Sequence, residues 1–262
     1  MRVSAEKTTD MTPRDEIETL RLAVQFMTRL PVPAGAPYDP SRMAGSIRYY
    51  PLTGLLVGGM AALVLLIASC LWAMPVAIVL GMLTATLMTG ALHEDGFADM
   101  VDGFWGGHTV ERRLEIMRDS RLGSYGALGL ILLVVLNIAA LMSFTSGQAA
   151  VALLTAHMLS RLGVVVVMDR GTYVRRTGAG QDVQKGPGGE GWLVIACTLV
   201  PGLIAALMCF GLLLTALSMT LAVVISLAFL KFSERKIGGY TGDVLGAVQQ
   251  LTCLIVILTL SL

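Results

Sequence analysis

Runs of about twenty nearly uncharged, apolar residues recur along this chain, near 52–72, 75–92, 126–144, 148–168, 192–211, 214–231 and 244–262. A run of that length crosses the hydrocarbon core of a bilayer as an α-helix. In lipid every backbone amide and carbonyl must be satisfied internally, so the alternatives to a helix are few. The fold expected is therefore all-α: a polytopic integral membrane helical bundle of about seven transmembrane helices, built as a single membrane domain over 1–262. Composition agrees, with 55% hydrophobic residues, 14% charged residues and a mean hydropathy of +0.74, far more apolar than an ordinary soluble domain.

The charges test that count independently. Of the 19 Lys and Arg residues, all but Arg161 fall before the first run or between runs two and three, four and five, and six and seven. The connections after runs one, three and five carry none. Because Lys and Arg accumulate in cytoplasmic loops, the N-terminus and the long loops are expected in the cytoplasm and the C-terminus outside. All 18 acids share the basic side, which orientation alone does not require, so chemistry is expected on one face. The net charge of +1 argues against nucleic acid as a partner. Cys70, Cys197, Cys209 and Cys253 are scattered through apolar runs without metal-ligand spacing and read as small core residues. No removable signal sequence is expected. Ahead of the first run, residues 16–32 alternate apolar and charged positions at helical spacing and stop at Pro31, as expected of a helix lying in the membrane interface or capping the cytoplasmic face.

Four carboxylates, Glu94, Asp95, Asp99 and Asp102, directly follow the second run. Asp95, Asp99 and Asp102 stand at i, i+4 and i+7 and share one stripe if the helix continues. Three carboxylates on one stripe repel one another unless a cation sits among them. An oxygen-only donor set suits Mg²⁺, which takes a few carboxylates together with substrate phosphate oxygens. The plain alternative is a solvated acidic loop, but acids at a membrane boundary are functional by default. Glu94 points about 100° off the stripe. Downstream come Asp119, Arg121, Gly123 and Gly126, where Arg121 could neutralise a phosphate and the glycines could either let it approach or simply pack helices. Arg161 lies about two turns inside the fourth run and needs a partner: snorkelling to the surface, substrate phosphate, or a site acid.

The stretch "ALHEDGFADMVDGFWGGHTVERRLEIMRDSRLGSYGALGL" (91–130) resembles the signature of the adenosylcobinamide-GDP ribazoletransferases, the cobalamin synthases. "FMTRLPVP" (26–33), "RYYPLTGLLVGG" (48–59), "HMLSR" (157–161), "RRTGAG" (175–180) and "GGYTGDVLGA" (238–247) match in character and order. Cys253 departs from the pattern, where the family is associated with an acid after "QQLT". The resemblance implies a multi-pass protein of the bacterial inner membrane with a cytoplasmic active site. It would join adenosylcobinamide-GDP to α-ribazole or its 5′-phosphate, release GMP and depend on Mg²⁺. On that footing Asp95, Asp99, Asp102 and, more weakly, Glu94 are expected on the metal. Asp119, Asp102 and Arg121 are expected to be catalytic, Asp119 as base or further ligand. Arg48, Arg118, Gly123, Arg161, Arg175, Arg176, Gly178, Thr241 and Asp243 are expected to bind substrate, with the glycine-rich loop around Arg175 and Arg176 as a lid. Beyond substrates and the lipid bilayer no partner is implied, and homo-oligomerisation is left open. "DMVDG" (99–103) also echoes the opening of the CDP-alcohol phosphotransferases, so a lipid alcohol acceptor is the rival. A cation transporter is a weaker one, since the outer half lacks Asp, Glu, Lys and Arg.

Overall fold

The computed structural model describes residues 13–33, 35, 39–119, 121–175 and 186–262. These form ten helices: α1 (Pro13–Met27), α2 (Pro40–Ser46), α3 (Tyr50–Ser69), α4 (Met74–Thr89), α5 (Leu92–Gly106), α6 (Val110–Ile116), α7 (Ser124–Leu141), α8 (Ser146–Arg170), α9 (Gly188–Ile237) and α10 (Gly242–Leu260). A 3-10 turn, Ile47–Tyr49, joins α2 to α3. Among the described residues the only β pairing is an isolated bridge between Tyr173 and Tyr240. The protein is a polytopic helical membrane protein, as its apolar runs require.

The axis of the bundle is α8, in which every residue from Met158 to Met168 is buried. Lipid offers apolar helices no hydrophobic reason to associate, so contact depends on close packing and small residues. Here α3 supplies them. A Cβ on Gly54 would stand 2.4 Å from the carbonyl oxygen of His157, and one on Gly58 would stand 2.9 Å from the Leu154 Cα. The same glycine, Gly54, clears the path of Arg161, whose Cδ lies 2.8 Å from that hypothetical atom.

Five helices are long and apolar enough to cross a membrane, and a sixth span arises if the bent pair α4–α5 is counted as one. The long α9 accounts for the difference from seven. Its 50 residues would reach about 75 Å if straight, more than twice the apolar core, but Gly211 inside it is non-helical at φ 77°, ψ 173°. That conformation is open to glycine alone. Contacts on either side show the chain doubling back there. Gly191 packs on Arg48, Gly202 on Met158 and Leu55, and Phe210 on Phe144; then Ser226 returns to Gly163 and Leu230 to Gly171. Divided at Gly211, α9 supplies two antiparallel spans.

The amphipathic α1 buries Thr19, Ala23 and Met27, spaced four apart and so on one face. Glu16 on its first turn accepts from Arg48 at 3.0 Å and from the Tyr49 hydroxyl. Past its end, the Arg29 amide donates to the Met88 carbonyl at 2.6 Å, tying the N-terminal segment to the end of α4.

Candidate active site

At the end of α4 two consecutive residues enter the left-handed region, Gly90 at φ 64° and Ala91 at φ 59°. For alanine this costs about 1 to 2 kcal/mol, and it bends α5 by 88° from α4. The strained corner is held from outside, because the Arg29 side chain fills the space beside Gly90 where a Cβ would meet its Nε at 2.5 Å. The bend lays the acid-bearing helix across the charged end of the bundle.

There α5 crosses α10 at two glycines. A Cβ on Gly96 would stand 3.0 Å from the Asp243 Cα, and one on Gly246 would stand 3.0 Å from the His93 carbonyl oxygen. This approach sets Asp95 and Asp99 against the first turn of α10. Asp95, Asp243 and Asp102 are the negative charges acting on Asp99, and Arg175 is the positive one. Arg175 donates to Asp243 at 2.5 Å and to the Met117 carbonyl at 3.1 Å. It is brought in by the short pairing of 172–174 with Tyr240, where Val174 donates to the Tyr240 carbonyl at 3.0 Å and Tyr240 donates to that of Thr172 at 2.9 Å. Thr241, fully buried, caps α10 through Val244.

Asp102 faces the other way. It is buried, and its two oxygens accept from the amides of Gly123 at 2.8 Å and Gly126 at 2.9 Å. A carboxylate on the first turn of a helix meets both free N–H groups and the positive end of the dipole. Asp102 therefore docks α7 onto α5, and the glycines are required by contact, since a Cβ on either would stand 2.4 Å from an Asp102 oxygen. Beyond Asp102 opens a cavity of about 400 Å³ lined by Arg112, Arg118, Arg121, Asp119, Gly123 and Tyr125 among others.

The remaining expected residues are placed as follows. Asp119 and Arg121 form an exposed ion pair of 2.5 Å at that cavity, and the hydrogen bond from Arg121 holds the Asp119 carboxyl below the usual carboxylate range, which weakens it as a base. Glu94 is not with the other acids: it accepts from Thr86 at 3.1 Å, and its other oxygen is buried without a partner among the described residues. Arg161 is fully buried, donating to the His157 carbonyl at 2.9 Å, with Nε and Nη2 unpartnered among the described residues. Arg48 is buried on Glu16. Arg176 and Gly178 lie outside the described residues.

A family model for cobalamin-5-phosphate synthase matches residues 19–261 of the chain. The chain belongs to this family. Similar proteins include the adenosylcobinamide-GDP ribazoletransferases of Leptothrix cholodnii, 41% identical over 88% of this chain and 89% of the relative, and of Shewanella amazonensis, 38% identical over 94% and 96%. That of Vibrio cholerae is 36% identical over 94% of each. No solved structure matches.

For this member of the family the donor chemistry fits a hard cation in a particular way. Among the described residues no three His, Cys, Asp or Glu side chains converge closely enough to hold a metal ion. A cation at the α5–α10 crossing would thus take one or two carboxylates and complete its shell with water and phosphate oxygens, which is how Mg²⁺ ordinarily binds. Two cavity residues, Arg112 and Tyr125, carry no signal in the sequence beyond charge and aromaticity. They become visible only when α6 folds back on α5.

Proposed function

We propose that the protein is a membrane-embedded transferase that joins adenosylcobinamide-GDP to α-ribazole, or to its 5′-phosphate, and releases GMP, with Mg²⁺ as cofactor and the charged end of the bundle facing the cytoplasm of a bacterial inner membrane. The observation that supports this reading most is the meeting of Asp95 and Asp99 with Asp243 and Arg175 at one glycine-lined crossing, in a chain of this family.

In the proposed reaction a ribose hydroxyl of ribazole attacks the corrinoid-linked phosphorus. The new P–O bond forms as the anhydride P–O bond breaks, the electron pair leaves with GMP, and the hydroxyl proton passes to a carboxylate. Bound Mg²⁺ would supply charge withdrawal from the diphosphate oxygens. Asp95 and Asp243 would hold it, with water and phosphate oxygens completing its shell, and Arg175, already beside them, would turn its guanidinium to the diphosphate. Asp99, central to the cluster and half-buried, is the proposed proton acceptor in place of Asp119. Arg176 and Gly178 are the further substrate-binding residues proposed.

The test is direct: purified protein in detergent is incubated with adenosylcobinamide-GDP, α-ribazole and Mg²⁺. GMP and the joined corrinoid are expected in equal amounts. Absence of both, or transfer to a lipid alcohol under the same conditions, would favour the phosphotransferase rival.

A further inference from the structure

We infer that the arginine-lined cavity between α5, α6 and α7 is a purine nucleoside monophosphate site, which holds the GMP portion of the substrate and keeps it after transfer. This rests on the transferase reading for the identity of the nucleotide, but the cavity itself does not. Its volume, about 400 Å³, falls in the range of small-molecule sites. Three guanidiniums line it, those of Arg112, Arg118 and Arg121. Two are engaged at the surface, Arg112 with Glu115 at 2.7 Å and Arg121 with Asp119 at 2.5 Å; exposed pairs of this kind are weak and exchange readily for a phosphate. Arg118 has no ion pair among the described residues and is exposed.

The floor of the cavity is the start of α7. Gly123 and Gly126 give their amides to Asp102, while Ser124 and Tyr125, which also line the cavity, occupy the first helical positions, where N–H groups lack helical acceptors. Tyr125 is 51% exposed and offers its ring as a stacking face for a base. Asp102 lines the cavity, and along α5 it lies about 4.5 Å of helix from Asp99 and about 10 Å from Asp95, the other members of its stripe. A nucleotide seated here would run its diphosphate along that stripe to the α5–α10 crossing.

Binding of GMP to the detergent-purified protein, without any corrinoid, is measured by saturation-transfer NMR and calorimetry, with guanosine and glycerol 3-phosphate as the comparison probes. Wild-type protein is expected to bind GMP. Arg118→Gln should weaken GMP about tenfold and leave guanosine unchanged, whereas Tyr125→Ala should weaken both. The inference is overturned if wild type does not bind GMP, if neither substitution changes its affinity, or if glycerol 3-phosphate competes as well as GMP, which would make the cavity a site for lipid headgroups. It is also overturned if Arg175→Gln abolishes GMP binding while Arg118→Gln does not. The turnover assay above is run on the same wild-type preparation, so that failure of the reaction and failure of the cavity are read separately.

Discussion

Asp102 on α5 and the amide of Gly126 on α7 are 2.9 Å apart, and the contact is so close that a methyl group on Gly126 would fall 2.4 Å from the carboxylate and 2.8 Å from the Ala98 carbonyl oxygen. The carboxylate could turn aside, but the backbone oxygen could not.

Gly126→Ala should therefore cost about 1 to 3 kcal/mol of stability, seen as a lower midpoint in thermal unfolding followed by tryptophan fluorescence. Asp102→Asn replaces a charged acceptor with an amide and should lose about 1.5 to 3 kcal/mol. The two separate docking from catalysis. If Asp102 also serves the reaction, Asp102→Asn should lower turnover by orders of magnitude more than Gly126→Ala does at comparable stability. Equal losses would confine Asp102 to holding α7.

Much of this was legible in the sequence, for identifiable reasons. The break in α9 falls where the apolar runs 192–211 and 214–231 divide, because a span's length is set by the bilayer and not by its neighbours. The stripe of Asp95, Asp99 and Asp102 follows from helical period alone. What period does not reveal is which neighbour each acid meets. Asp95 and Asp99 turn to α10, Asp102 to α7, and Glu94 to Thr86, a division made by the 88° corner at Gly90 and Ala91. Nothing in "TGALHED" announces that alanine adopts φ 59°. Gly123 and Gly126 had two readings, phosphate approach or helix packing; both make a packing contact, since a Cβ on either would stand 2.4 Å from an Asp102 oxygen.

Activity should require a divalent cation held at the α5–α10 crossing. Asp95→Asn, Asp99→Asn and Asp243→Asn are each expected to lower turnover at least a hundredfold; unfolding midpoints should be unchanged or raised for the first two, which remove a charge from a repelling cluster, and lowered for Asp243→Asn, which leaves Arg175 without its ion-pair partner. Calorimetric titration with Mg²⁺ in the presence of substrate supplies a second readout, and each variant should weaken it. Full activity in excess chelator, or in all three variants, would remove the metal from the site.

Placing the charged end in the cytoplasm and the turn at Gly211 outside makes a prediction about fusions. A cytosol-active reporter should be silent after Phe210 and after Leu262, and active after Gly238. Activity after Phe210 would mean that the first half of α9 does not cross the membrane.

Arg161 is among the largest fully buried side chains of the described residues, and two of its nitrogens have no partner among those residues. A guanidinium in that state costs several kcal/mol unless an opposite charge lies near. Cys253 and Glu94 are the two groups whose charge would act on it, and Glu94 makes no ion pair with it within bonding distance. The thiol of Cys253 is buried on α10 and normally neutral, so it contributes little. Cys253→Asp should consequently be tolerated, with turnover preserved and an unfolding midpoint equal to or above wild type, because the new carboxylate gains a ready partner. In an Arg161→Gln background the same substitution buries an unpaired charge and should lower the midpoint by roughly 10 °C. The measurement is a double-mutant cycle on thermal unfolding. A strong favourable coupling between Asp at 253 and Arg161 is expected; additive effects would show that the guanidinium is already satisfied by water or by Glu94, and that Cys253 faces it without consequence.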